Sequence, residues 1–154
     1  MKQKHLEELQ DGSLVKYNGE LLWYYEYVYD AGLYSLMGAL KHTFTAGFIL
    51  NKMQPVRLYE KFTINGEEVY VWQVLGFGKG VKKEWCRFAW AAELNIPKQC
   101  LKIIFEGGNI YIQQGGGTRL IGLELIKYAH QVQALYRILT GKPLKLKLKI
   151  PKSK

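Results

Sequence analysis

No stretch of eighteen or more uncharged apolar residues occurs in the 154-residue chain, so a membrane-spanning helix is not expected. The opening "MKQKHLEELQDG" lacks the apolar run of a secretory leader, and a soluble, cytoplasmic protein with no membrane partner is the expectation. Cysteine is scarce. Cys86 and Cys100 stand fourteen positions apart without a CxxC pair or a histidine cluster, which argues against a disulfide framework or a zinc site. His5, His42 and His130 are widely separated, and no HExxH, GxSxG or phosphate-loop frame is present. "GFGKG" at 76–80 is glycine-rich but lacks the spacing of a phosphate loop, so it is expected to be a plain turn.

Acidic residues are the remaining shortage, with 13 Asp and Glu against 22 Lys and Arg and a net charge of +9. Six lysines and no acid lie in the last thirteen residues, "KPLKLKLKIPKSK", which leaves +3 on the preceding 141. A second basic centre lies at 79–102, where Lys79, Lys82, Lys83, Arg87, Lys98 and Lys102 outnumber Glu84 and Glu93. Clustered cations of this kind suit phosphate-bearing partners. With 48% hydrophobic residues the chain can fill a core. The expectation is a single α+β domain over 1–141 followed by a basic strand or arm at 142–154. Its centre would be an antiparallel sheet of four or more strands with two to three helices.

"LLWYYEYVYD", 21–30, is rich in strand-favouring aromatics between the turn residues of "YNGE" and "DAG", and a strand is predicted there. Over 33–50, Leu33, Leu36, Met37, Leu40 and Phe44 recur at helical intervals and predict a helix ending near Thr45 or Ala46. Asn65-Gly66 separates two alternating segments, 56–64 and 67–77, and predicts a hairpin. Trp85, Phe88, Ala89 and Ala92 predict a helix from Lys82 or Lys83 to Leu94. Thr118 is a candidate N-cap for a long helix over 118–140, whose stripe runs Ile121, Leu125, Tyr128, Val132, Leu135 and Leu139 before Gly141 and Pro143 end it. That stripe either packs on a sheet or forms the seam of a homodimer.

Residues 88–112, "FAWAAELNIPKQCLKIIFEGGNIYI", support two incompatible structures. In one, Ala91 is the small residue where two helices touch, and Leu94 and Ile96 flank a turn at Asn95. Pro97 opens a second helix with Leu101 and Ile104 buried and Lys98, Gln99 and Lys102 facing outward. This pattern resembles the helix-turn-helix DNA-binding proteins, as in phage repressors and Cro, over about twenty residues. The resemblance implies a recognition helix whose Lys98, Gln99 and Lys102 reach base edges of duplex DNA. In the other structure "CLKIIF" and "NIYIQQ" are strands joined at "EGGN".

The hairpin alternative moves a nucleic-acid contact elsewhere. Trp23, Tyr25, Tyr27 and Tyr29 share one face of the first strand, and Tyr70 with Trp72 gives a similar face later. Aromatic rings beside lysines grip single strands by stacking, although tyrosines also half-bury themselves in sheets with no ligand. "LKLKLKI" alternates Leu144, Leu146, Leu148 and Ile150 with Lys145, Lys147 and Lys149, as an amphipathic edge strand or a phosphate-following arm would.

The function expected from these features is nucleic-acid binding without catalysis or cofactor, with sequence-selective duplex DNA the preferred partner, as in a regulator or an accessory factor of a phage or mobile element. Lys79, Lys82, Lys83 and Arg87 would neutralise phosphates, Lys98, Gln99 and Lys102 would add selectivity, and Lys145, Lys147 and Lys149 would extend the footprint. Two other classes remain. A magnesium-dependent nuclease would draw on Glu26, Asp30, Glu60 with Lys61, Glu67, Glu68 and Gln73. A non-enzymatic assembly protein would meet an acidic protein partner through the same lysines.

Overall fold

The computed structural model describes residues 8–10, 12–26, 33–37, 42–46, 53–64, 66–79, 91–114 and 120–147. Antiparallel strands carry most of it. The first sheet is a meander of four, in the order β1 (Leu14–Tyr17), β2 (Glu20–Glu26), β3 (Leu33–Met37) and β4 (His42–Ala46). Its first turn is set by chemistry that tolerates left-handed backbone, since Asn18 (φ 51°) and Gly19 (φ 76°) are the two residues between the paired Tyr17 and Glu20. Such a two-residue loop matches the natural twist of the flanking strands. β2 meets the strand expectation as far as Glu26, and 27–30 lie outside the described residues.

The helix expected over 33–50 is not formed where the chain is described. β3 pairs with β2 through Tyr24↔Leu36 and with β4 through Ser35↔Phe44. Tyr34, Thr43, Phe44 and Thr45 are strand-favouring types, and neighbours on both sides supply hydrogen bonds that an isolated segment lacks. Apolar spacing alone misled here.

The hairpin predicted at Asn65-Gly66 is present as β5 (Lys61–Ile64) paired with β6 (Glu67–Tyr70), with Gly66 at φ 81° and Asn65 outside the described residues, but both strands are shorter than expected. Upstream, the Arg57 N–H donates to Glu60 Oε2 at 2.7 Å and the Glu60 N–H to the Arg57 carbonyl at 3.2 Å, which bends 57–60 into a turn. Downstream, residues expected to continue the strand to 77 become α1 (Val71–Val74). Its early amides have partners from outside the helix: Val71 N–H donates to Glu60 O and Trp72 N–H to Leu58 O. Val71, Trp72, Val74 and Leu75 are buried while Gln73 is exposed. One turn of helix sunk in the core buries residues on nearly every side, and an alternating strand does not.

The second sheet has five strands in the order β11 (Leu120–Gly122), β10 (Asn109–Gln114), β9 (Leu101–Glu106), β8 (Ala92–Ile96) and β7 (Gly78–Lys79). The stretch 88–112 therefore takes the hairpin form. Gly107 (φ 56°) and Gly108 (φ 84°) make a two-residue turn between Glu106 and Asn109. Between β8 and β9, Pro97–Gln99 forms a single 3-10 turn that closes through the Cys100 N–H on the Pro97 carbonyl. No recognition helix exists at 97–105. The helix expected from Lys82 or Lys83 lies outside the described residues over 80–90, and its predicted end, Ala92–Leu94, is strand.

Register puts Ala92, Phe105 and Ile110 in one row and Leu94 and Ile103 in the next on the same face, turned to the core. On the opposite face Ile104 is also fully buried, against Ala91 and Tyr111. One cluster of buried residues joins Leu14 of β1, Leu58, Val71 and Leu75 around α1, Ile103 of β9 and Val132. Val15, Leu22, Tyr24 and Met53 form a smaller one on the other face of the first sheet.

The final helix, α2 (Ala129–Thr140), is shorter than the expected 118–140. Leu120–Gly122 instead pairs with β10, and the Tyr111 ring lies 3.7 Å from where a Gly122 β-carbon would stand. Ile121 and Leu125 are consequently exposed, whereas Val132 is buried and Leu135 and Leu139 pack on the core. The stripe considered as a dimer seam is used within the chain from Val132 onward. Gln131 Oε1 accepts the Lys127 and Tyr128 N–H groups at the helix start, and Gly141, left-handed at φ 72°, ends it. No helix among the described residues is long and apolar enough to cross a membrane.

One side chain ties the two ends together. Gln133 Oε1 accepts the Leu14 N–H at 2.8 Å and its Nε2 donates to the Gly12 carbonyl at 2.8 Å, across 119 and 121 residues of sequence. Replacing Gln133 by Ala leaves both backbone groups without their partner, and we expect about 1–3 kcal/mol less stability by urea denaturation. Leu125→Ala, on an exposed side chain, should change it by less than about 0.5 kcal/mol.

Candidate nucleic-acid interface

Of the basic residues singled out by sequence, the structure describes Lys79, Lys98, Lys102, Lys145 and Lys147. Lys98 and Gln99 are exposed on the 3-10 turn between β8 and β9. Lys102 points from the adjacent strand, where its Nζ lies 3.7 Å from Glu93 Oε2. The two are diagonal neighbours on one sheet face, because Lys102 pairs with Asn95 and Glu93 with Ile104. Its charge is therefore partly engaged, in contrast to Lys98. Lys79 is the last residue of the edge strand β7. Lys82, Lys83, Arg87 and Lys149 lie outside the described residues.

Residues 143–147 are neither a sheet strand nor a free arm. Leu144 and Leu146 pack against the core while Lys142, Lys145 and Lys147 are exposed. The Lys147 N–H donates to the Val74 carbonyl at 2.8 Å, which satisfies one of the orphan acceptors at the end of α1. Lys147 Cε and Leu94 Cδ1 both lie 3.7 Å from where a Gly76 β-carbon would be. The segment is thus a strap laid over α1, with leucines inward and lysines outward. The alternation seen in sequence is real, but it is satisfied by docking and not by sheet pairing.

A second basic surface was not singled out by sequence. Val56 and Leu58 are buried, so the intervening Arg57 and Tyr59 project outward. The Arg57 guanidinium carbon lies 5.3 Å from the Tyr128 ring centre and 6.0 Å from that of Tyr59. Tyr128 in turn stacks on the buried His130, with ring centres 6.0 Å apart. On the neighbouring hairpin, Lys61 Nζ lies 5.0 Å from the Tyr70 ring, which stacks on Trp72 at 5.7 Å. Cations over aromatic faces at these distances attract the ring quadrupole. Glu60, the acid within this surface, is held by Lys16 Nζ at 2.9 Å and by the Arg57 N–H. The Arg-x-Tyr-x-Lys order of residues 57–61 was visible in sequence, but Tyr128 is brought in only by the fold.

Among the described residues, the carboxylates considered for magnesium do not converge. Glu60 is in the ion pair just described, Glu67 and Glu68 are exposed at the turn end of the hairpin, and Gln73 Oε1 accepts the Tyr70 N–H at 2.8 Å. Among the described residues no three His, Cys, Asp or Glu side chains are grouped to hold a metal ion. Glu26 is the last residue of β2, and Asp30 lies outside the described residues.

No protein-family model, no curated protein and no solved structure matches the chain.

The strap geometry has a direct test. A Leu144→Ser/Leu146→Ser variant removes the inward contacts and keeps every lysine. We expect faster tryptic cleavage after Lys145 and Lys147 and faster exchange of the Lys147 amide than in the parent protein.

Proposed function

We infer that this chain is a non-enzymatic nucleic-acid-binding protein that engages the sugar-phosphate backbone. The observation that supports this most is the strap: Lys142, Lys145 and Lys147 are turned outward by the packing of Leu144 and Leu146, in a tail segment with no acidic residue. Lysines held on a folded surface bind phosphates with less ordering cost than the same lysines on a loose arm. Lys98, exposed at the β8–β9 turn, adds a further cation. The duplex preference and base selectivity implied by a recognition helix lose their carrier, because Leu101–Glu106 is a strand and Lys102 faces Glu93. Backbone contact is the part of the expectation that the geometry favours, and it predicts little dependence on sequence.

The test is anisotropy titration of labelled nucleic acid across a salt series. For the intact chain we expect affinity to fall steeply with salt. For Lys142→Ala/Lys145→Ala/Lys147→Ala the slope of log K against log salt should be shallower by about 2–3, as roughly 0.7–0.9 per lost phosphate contact requires. Failure of the intact chain to bind duplex or single strands at low salt overturns the proposal. It would turn attention to an acidic protein partner.

A further inference from the structure

We propose that Arg57, Tyr59 and Tyr128 form a stacking site for an unpaired base, which makes single-stranded nucleic acid the class this protein takes. This deepens the backbone-binding reading above and rests on it.

The site is built from the core outward. Tyr128 is half-buried against His130, Arg57 lies over Tyr128, and Tyr59 lies beside Arg57 with 52% of its surface open to solvent. The supporting backbone is held on several sides. Val56 O accepts the Ala129 N–H at 2.7 Å, Arg57 forms an antiparallel bridge with Tyr128, and Leu58 O and Glu60 O accept amides of α1. The turn itself is closed by the Glu60 carboxylate, whose other oxygen meets Lys16. An exposed ring on such a scaffold loses little freedom when a base settles on it.

The electrostatics suit the same occupant. Among the described residues no carboxylate pairs with the guanidinium of the exposed Arg57, whose carbon lies over the Tyr128 ring. A guanidinium in that position can bond two phosphate oxygens at once. Lys61 and Lys127 are exposed and neighbour Tyr59 and Tyr128 in sequence, and Lys61 with Tyr70 repeats the cation–ring pairing one strand along. The hairpin's two acids sit at its opposite end, across from Ile64 and Thr63. A duplex keeps its base faces stacked inside and has nothing to offer Tyr59. An unpaired strand presents a base face and a phosphate a short distance apart, and any base suffices.

The experiment uses the full chain and two labelled probes, an oligothymidine and a mixed-sequence duplex of equal length. The parent protein should bind the oligothymidine more tightly. Tyr59→Ala should weaken oligothymidine binding about 5- to 100-fold, the range base stacking supplies, and leave duplex binding and melting temperature unchanged. Tyr59→Phe should restore the affinity, since the ring and not the hydroxyl carries the contact. Arg57→Lys keeps the charge but not the stacked plane, and should also weaken the oligothymidine. Tyr59→Ala that affects neither probe, or both equally, overturns the stacking site while salt-sensitive binding preserves the backbone reading. Absence of binding to both probes by the parent protein overturns the two together.

Discussion

The antiparallel contact between the start of α2 and residues 56–57 is the constraint on which the rest depends. Ala129 donates to Val56, Arg57 bridges to Tyr128, and Ala129, Val132, Val56 and Leu58 are buried together beneath that contact. Helix starts leave amides without partners, and here they are met from two directions, by Gln131 within the helix and by Val56 across it. Because the contact fixes both segments, it also fixes which side chains on them are left outside. Arg57, Tyr59 and Tyr128 meet at the surface as a by-product of how Val56, Leu58 and Ala129 meet in the interior.

Local chemistry in the sequence determined the turns well. Asn18-Gly19 and Gly107-Gly108 connect antiparallel neighbours, Gly66 precedes β6 in the third hairpin, and Gly141 ends α2, because left-handed backbone is a demand that few residue types meet. Apolar spacing was less reliable. Leu33, Leu36 and Met37 fit a helical stripe, yet strand pairing with β2 and β4 prevailed. Ile121 and Leu125 fell in line with the stripe of α2 only by coincidence of spacing, and both are exposed. At 71–75 the alternation continued from a strand into a buried helical turn, since burial on all sides erases the difference between the two periods.

The candidate site was legible in part for a similar reason. Residue types on short segments could be read, so the strap lysines and the exposed Lys98 and Gln99 stand where an outward face was expected. Partnerships across the chain could not. Glu93 reaches Lys102 only through the register of β8 with β9, and Tyr128 reaches Arg57 only after the chain has returned from 71 residues further on. A pattern such as Arg-x-Tyr-x-Lys gives no sign of which face will be covered until the covering element is known.

The Gln133 clamp on Gly12 and Leu14 has a consequence in time. Each meander is built from strands adjacent in sequence, and short loops close quickly, so both sheets can begin to form from local hairpins. The bonds from Gln133 to Leu14 and Gly12 span 119 and 121 residues and come from the last helix, while Gly12 and Ser13 also bond Tyr24 of β2. During synthesis on a ribosome the Leu14 N–H and the Gly12 carbonyl therefore lack this partner until Gln133 has emerged, although the hairpin to β2 can already hold Gly12 and Ser13. Two backbone groups at the start of the first sheet are thus satisfied only once α2 has docked.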